Sequence, residues 1–165
     1  VPVVYLDKVF SVMERTPRHT YQILTKRANR LPEYFHNRTC PENVCLGVSV
    51  EDRQYGVPRI AELRKVRARI RFLSVEPLLE DIGEFDLTGI HWVIVGGESG
   101  PKSRPMKEKW VENVKRQADA AGAAFFFKQW GAWGADGVKR NKKANGRIFQ
   151  GRTWDTYPEN ARAAL

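Results

Sequence analysis

The chain has 165 residues, of which 42% are hydrophobic and 28% are charged, and its formal net charge is +9. This length and composition suit one domain that buries most of its apolar surface, and they exclude a disordered or fibrous chain. The longest apolar runs fall well short of the roughly 20 residues that a membrane helix needs. No secretory signal is visible at the start, so we expect a cytoplasmic protein without membrane contact.

The apolar pattern predicts alternating helices and strands. An opening amphipathic helix ends near Pro17, a first strand covers residues 20–25, and Pro32 fits only near the start of the helical stretch that follows. Further strands are predicted over residues 44–50, 70–75, 90–95 and 124–127, with helices beginning near Pro58 and containing Trp110. From residue 136 the pattern fades, which predicts a basic, extended or loosely packed appendage (136–165) of the same domain as residues 1–135.

These repeated β/α units predict an α/β fold with a mostly parallel sheet, arranged as a partial TIM-type barrel. The carboxyl ends of parallel strands share one edge, where ligands bind in such folds. A charged residue follows each predicted strand: Lys26, Glu51, Glu76, Glu98 and Lys128. We therefore expect one polar site at this edge.

The triplet Ser-Val-Glu occurs twice, as Ser49 to Glu51 and as Ser74 to Glu76. Strand alternation sends each serine and its glutamate to the same face. With Glu98, three carboxylates would then meet. They could bind a divalent metal, bind ribose hydroxyls or share a proton, which leaves a metal-dependent hydrolase or phosphoryl-transfer enzyme as one alternative.

Simple salt bridges at strand ends explain any single glutamate more readily than catalysis does. Lys26, Lys128 and Arg104 could neutralise the carboxylates or bind a phosphate. The pair Gly96-Gly97 could let a ligand approach the backbone closely, or it could only make a tight turn.

The positive charge makes an anionic partner plausible, and four candidate nucleic-acid contacts stand out: Arg64, Arg67, Lys142 and Lys143. A solvated helix face and tail would explain the same residues. A noncatalytic nucleic-acid-binding module is therefore a further alternative. Trp130 and Trp133 could stack a base, although such residues more often close a core.

Five ordered stretches carry a more specific pattern: residues 21–27 (YQILTKR), 46–51 (LGVSVE), 72–79 (FLSVEPLL), 92–100 (WVIVGGESG) and 126–131 (FFKQWG). Together they resemble the phage gene product thirty-seven/sixty-eight family, a domain of unknown function that looks like the radical S-adenosylmethionine proteins. The resemblance covers nearly the whole chain.

The resemblance implies a partial barrel in which Glu51, Glu76, Glu98 and Lys128 are candidate catalytic residues. The candidate cofactor-binding residues are Lys26, Ser49, Ser74, Gly96 and Gly97. It further implies a nucleic acid or nucleotide as substrate, and S-adenosylmethionine and a [4Fe-4S] cluster as cofactors of intact members.

This sequence departs from the family in lacking the upstream three-cysteine motif that holds the cluster. It has only Cys40 and Cys45, whose spacing matches no common metal motif. We therefore expect no cofactor held by this chain alone. Missing strands would leave a sheet edge open, which favours a homodimer or another partner there.

Overall fold

The structure is a computed structural model that describes residues 1–159. Its strands are β1 (Tyr21–Thr25), β2 (Val44–Ser49), β3 (Ile70–Val75), β4 (Trp92–Gly96) and β5 (Ala124–Gln129). Its helices are α1 (Val3–Glu14), α2 (Arg30–Phe35), α3 (Arg59–Arg64), α4 (Glu108–Ala120) and α5 (Lys142–Asn145). Each helix within residues 1–159 is too short or too polar to cross a membrane.

The five strands form one all-parallel sheet in the order β1-β2-β3-β4-β5. Neighbours in the sheet are also neighbours in the chain, as expected when each crossover adds the next strand on the same side. The sheet is not closed. The predicted α/β fold is therefore confirmed, and its open sheet is consistent with a partial barrel.

The sheet separates two cores of different size. The side chains of Val48, Leu73 and Val93 are fully buried in the larger core, on the face that the helices cover. Alternation sends Phe72 and Trp92 to the opposite face, into a smaller aromatic cluster. Burial on both faces explains why the strands read as continuous apolar runs in the sequence.

The C-terminal segment covers the β5 edge of the sheet. Asp155 forms an antiparallel bridge with Phe126, and the Phe127 amide donates to the carbonyl of Trp154 at 2.9 Å. Phe149 is only 1% exposed and belongs to the larger core. Of the two expected forms of this appendage, loose packing does not hold for residues 147–157, because Phe149 and Trp154 pack against the larger core. Residues 160–165 of the predicted appendage lie outside the described residues.

The other edge, at β1, pairs only with β2 among residues 1–159. The open edge expected from the sequence is therefore present. A dimer or partner at this edge stays a prediction.

Candidate active site at the carboxyl edge

The charged residues at the ends of the strands lie along one edge of the sheet, which we call the carboxyl edge. Parallel pairing aligns Ser49 of β2 with Ser74 of β3, so the residues that follow them also come side by side. Both serines are buried, at 4% and 6% exposure. The two Ser-Val-Glu triplets of the sequence thus lie side by side at the ends of neighbouring strands.

Glu51 is the most buried of the three glutamates, with 5% of its surface exposed. One carboxylate oxygen pairs with Lys26, and the other accepts from Arg59 Nη1 at 2.6 Å. Burial raises the pKa of Glu51, but the hydrogen bonds from Lys26 and Arg59 outweigh it, and the net pKa is lowered. Glu51 is therefore held ionised between two cations.

Sequence reasoning missed Arg59 because the residue belongs to α3 and not to a strand end. The same Nη1 atom also donates to the carbonyl of Ser49 at 2.6 Å. Arg59 thus ties the first turn of α3 to the end of β2. Its position could have indicated this contact, since a helix that follows a parallel strand begins near the carboxyl edge of the sheet.

Glu76 reaches across β4 to meet Lys128 of β5, with 3.2 Å between Oε2 and Nζ. Gly96 makes this crossing possible. A Cβ atom at that position would lie 2.4 Å from Glu76 Oε1. In the structure, the room left by Gly96 is therefore taken by the protein's own carboxylate.

Gly97 has a similar internal role. A Cβ atom there would lie 1.9 Å from the backbone oxygen of Trp130, and the Gly97 amide donates to the carbonyl of Gln129 at 2.9 Å. Packing within the chain accounts for both glycines. Their role in admitting a ligand stays a prediction.

Glu98 closes the loop that follows β4. Its two oxygens accept from Arg104 Nη2 and Nε, each at 2.9 Å, and the Arg104 amide donates to one of them at 2.8 Å. The hydrogen bonds from the Arg104 side chain and backbone lower the pKa of Glu98 to about 2. This bidentate pair fixes the position of residues 98–104 beside the edge.

The two tryptophans after β5 have separate environments. Trp130 is 2% exposed and its indole donates to the carbonyl of Ile148 at 2.7 Å, so it is a core residue. Trp133 is half-buried and donates to the carbonyl of Ser103 at 2.8 Å. Base stacking by Trp130 would require it to leave the core.

The four candidate nucleic-acid contacts do not form one surface. Arg64 and Arg67 precede β3, at the amino end of the strands, and Arg64 is paired with Asp86. Lys142 and Lys143 lie on α5, and this helix is tied through Asn145 Nδ2 to the carbonyl of Gly131 at 3.0 Å, just beyond β5. The two pairs therefore lie at opposite ends of the sheet.

The two cysteines do not fit the ligands of an iron-sulfur cluster. Cys40 and Cys45 are both buried and lie in different cores. Burial raises the pKa of Cys40 to about 12 and also raises the pKa of Cys45, whereas a metal ligand must be a thiolate.

The three glutamates do not form a metal site either. In the part of the chain that the structure describes, no group of three or more His, Cys, Asp or Glu side chains is placed to hold a metal ion. Each glutamate is paired with its own cation instead. The geometry thus gives the metal-dependent hydrolase no support.

The fold and the carboxyl edge define an open parallel α/β protein with acid–base pairs at the ends of its strands. Residues 1–158 match the model of a family described as a protein of unknown function (DUF5131), and the chain belongs to this family. Comparisons with curated proteins and with solved structures gave no match.

Proposed function

We propose that this chain forms the cofactor and substrate side of a radical S-adenosylmethionine-like partial barrel that acts on a nucleic acid or nucleotide. The observation that carries the proposal is the alignment of Glu51, Glu76 and Glu98 along one edge of a sequential parallel sheet, each just beyond the end of its strand. Ligands of such sheets bind outside the carboxyl ends of the strands.

The acidic and basic side chains at this edge suit a ligand that carries both positive and negative groups. S-adenosylmethionine has an ammonium group, a carboxylate, a sulfonium centre and ribose hydroxyls. Carboxylates such as Glu51 would accept from the ammonium or the hydroxyls, and Lys26 or Lys128 would pair with the carboxylate. When bound, this cofactor supplies the reactive group in radical chemistry, while the chain's residues bind and orient it.

Burial of the Glu51 carboxylate would strengthen its contacts with such a ligand. The Glu51 carboxylate lies behind Lys26, whose side chain is 63% exposed, so a ligand can compete for the lysine without unfolding the sheet. Arg59 stays beneath as a second cation, with its side chain 18% exposed. Exchange of an internal ion pair for a ligand pair would therefore leave Glu51 compensated.

Cys40 and Cys45 do not fit the ligands of an iron-sulfur cluster. The residues of this chain would therefore bind and orient the cofactor and would not hold a cluster. Catalysis by the isolated chain is not expected.

The test is calorimetric titration of the chain with S-adenosylmethionine. The variant Glu76→Gln removes a charge at the edge and should weaken binding by roughly 10- to 150-fold, as one charge-assisted contact is worth about 1.5–3 kcal/mol. Glu112→Gln, an exposed change on α4, is the matched control and should leave the affinity unchanged. Absence of binding to the unaltered chain, or equal effects of the two variants, would reject the proposal.

A noncatalytic nucleic-acid-binding module is the second candidate, and the net charge of +9 favours it. The basic residues Lys142 and Lys143 are exposed and lie beyond the carboxyl edge. Electrostatic binding of this kind falls steeply with salt. Affinity for an oligonucleotide that does not change between low and moderate salt would contradict it.

A further inference from the structure

The end of the sheet opposite the carboxyl edge contains a second feature with ligand-binding chemistry. A cleft of 480 Å³ lies between the ends of α2 and α3. Four of its eight lining residues are basic, and none is acidic. The basic residues are His36, Arg38, Lys65 and Arg67. We call this feature the basic cleft.

Two of the four basic side chains are positioned by acidic residues outside the cleft. Arg38 donates to Asp7 through Nε at 2.9 Å and Nη2 at 3.3 Å, and Lys65 donates to Glu62 at 2.6 Å. These pairs hold the side chains in place and offset part of their charge.

The other two basic side chains, His36 and Arg67, have no such partner. Both are exposed, and neither makes a side-chain hydrogen bond or ion pair within residues 1–159. An unpaired guanidinium has its full set of donors available for an oxyanion. Arg67 is therefore the group best placed to bind an anion here.

The remaining walls of the cleft strengthen the field of these charges. Phe35 and Val66 contribute apolar surface, and the Thr39 hydroxyl adds a neutral donor. A concave site with apolar walls and charges of one sign focuses the potential more than a flat surface does. The available volume is sufficient for a phosphate group with an attached sugar.

We propose that the basic cleft binds a phosphate group of a nucleotide or nucleic-acid strand, with Arg67 as its main contact. The inference does not depend on the S-adenosylmethionine site, because the cleft lies at the other end of the sheet and shares none of its residues. Arg64 does not line the cleft and is paired with Asp86, so this site uses Arg67 and not Arg64.

The test compares two double variants that remove the same charge from opposite ends of the sheet. Lys65→Glu with Arg67→Glu alters the basic cleft, and Lys107→Glu with Lys109→Glu, two basic residues of the same spacing at the start of α4, is the matched control. All four residues are exposed, so the fold should tolerate both variants. Thermal melting checks this, and Arg67→Gln serves as a milder second variant.

The probe is a fluorescein-labelled oligothymidylate of about twelve nucleotides, a length within the site sizes of single-strand binders, followed by fluorescence anisotropy at low salt. The cleft variant should lose about tenfold or more in affinity, because two phosphate contacts are removed. Its salt dependence should also become shallower, while the α4 control variant should change affinity by less than about threefold.

Inorganic pyrophosphate then identifies the source of the phosphate. Competition by pyrophosphate would show that the phosphate group alone is bound, and failure to compete would assign the site to a strand backbone. Absence of oligonucleotide and pyrophosphate binding would overturn the proposal, as would a cleft variant that loses no more affinity than the α4 control variant.

Discussion

Substitution of the two adjacent glycines by alanine should have very different effects, although the sequence change is the same. The Cβ atom of Gly97→Ala would lie 1.9 Å from the backbone oxygen of Trp130 and 2.6 Å from its carbonyl carbon. These are backbone atoms, which cannot rotate away from the added Cβ atom as a side chain could. Gly131, which follows Trp130, has a φ of +83° and packs against the Glu98 carbonyl. The segments around Gly97 and around Trp130 therefore have no room to separate.

The neighbouring change meets only a flexible side chain. The Cβ atom of Gly96→Ala would lie 2.4 Å from Glu76 Oε1. This carboxylate can turn toward solvent, at the cost of its partly exposed contact with Lys128. We therefore expect the free energy of unfolding to fall by less than about 1 kcal/mol for Gly96→Ala and by about 3 kcal/mol for Gly97→Ala.

Urea denaturation of both variants measures the difference directly. For a chain of this size, about 3 kcal/mol corresponds to a fall in melting temperature of about 6–12 °C. Equal destabilisation by the two variants would refute the reasoning, because it would mean that the Gly97 backbone does not pack against Trp130 as described.

Three further predictions follow from single contacts. Glu51→Gln should lower the free energy of unfolding by about 1–3 kcal/mol at pH 7. Because the pKa of Glu51 is lowered in the folded state, this loss should shrink as the pH falls below the ordinary value of 4.5, and denaturation at several pH values checks it. Arg104→Ala should raise the pKa of Glu98 from about 2 toward its ordinary value, as measured by carboxyl NMR titration; an unchanged pKa would contradict the pairing. Phe149→Ala should cost about 3–5 kcal/mol because it empties a buried aromatic site, and a cost below about 1 kcal/mol would show that the C-terminal segment is not part of the core.

The strands and their parallel arrangement could be predicted from the sequence, because the strands are largely buried on two faces and alternate with helices. Continuous apolar runs such as 44–50 are typical of parallel strands that are covered on both faces. Parallel pairing then places the residues after each run at one edge without further information. The positions of Glu51, Glu76 and Glu98 follow from that rule alone.

The partners of these glutamates could not be read in the same way. Arg59 contacts Glu51 from a helix, and Lys128 contacts Glu76 across an intervening strand. Both depend on three-dimensional packing, and the second depends on a missing side chain at Gly96. The C-terminal segment was missed because Phe149 and Trp154 pack singly, without the periodicity that marks a helix or strand.

Binding of S-adenosylmethionine at the carboxyl edge, as proposed, can be observed residue by residue. Titration of the isotope-labelled chain with this cofactor, followed by amide chemical shifts, tests it most directly. Binding at the carboxyl edge should concentrate the shifts at Glu51, Glu76, residues 96–98 and Lys128. Shifts confined to the basic cleft, or no shifts at saturating cofactor, would contradict it.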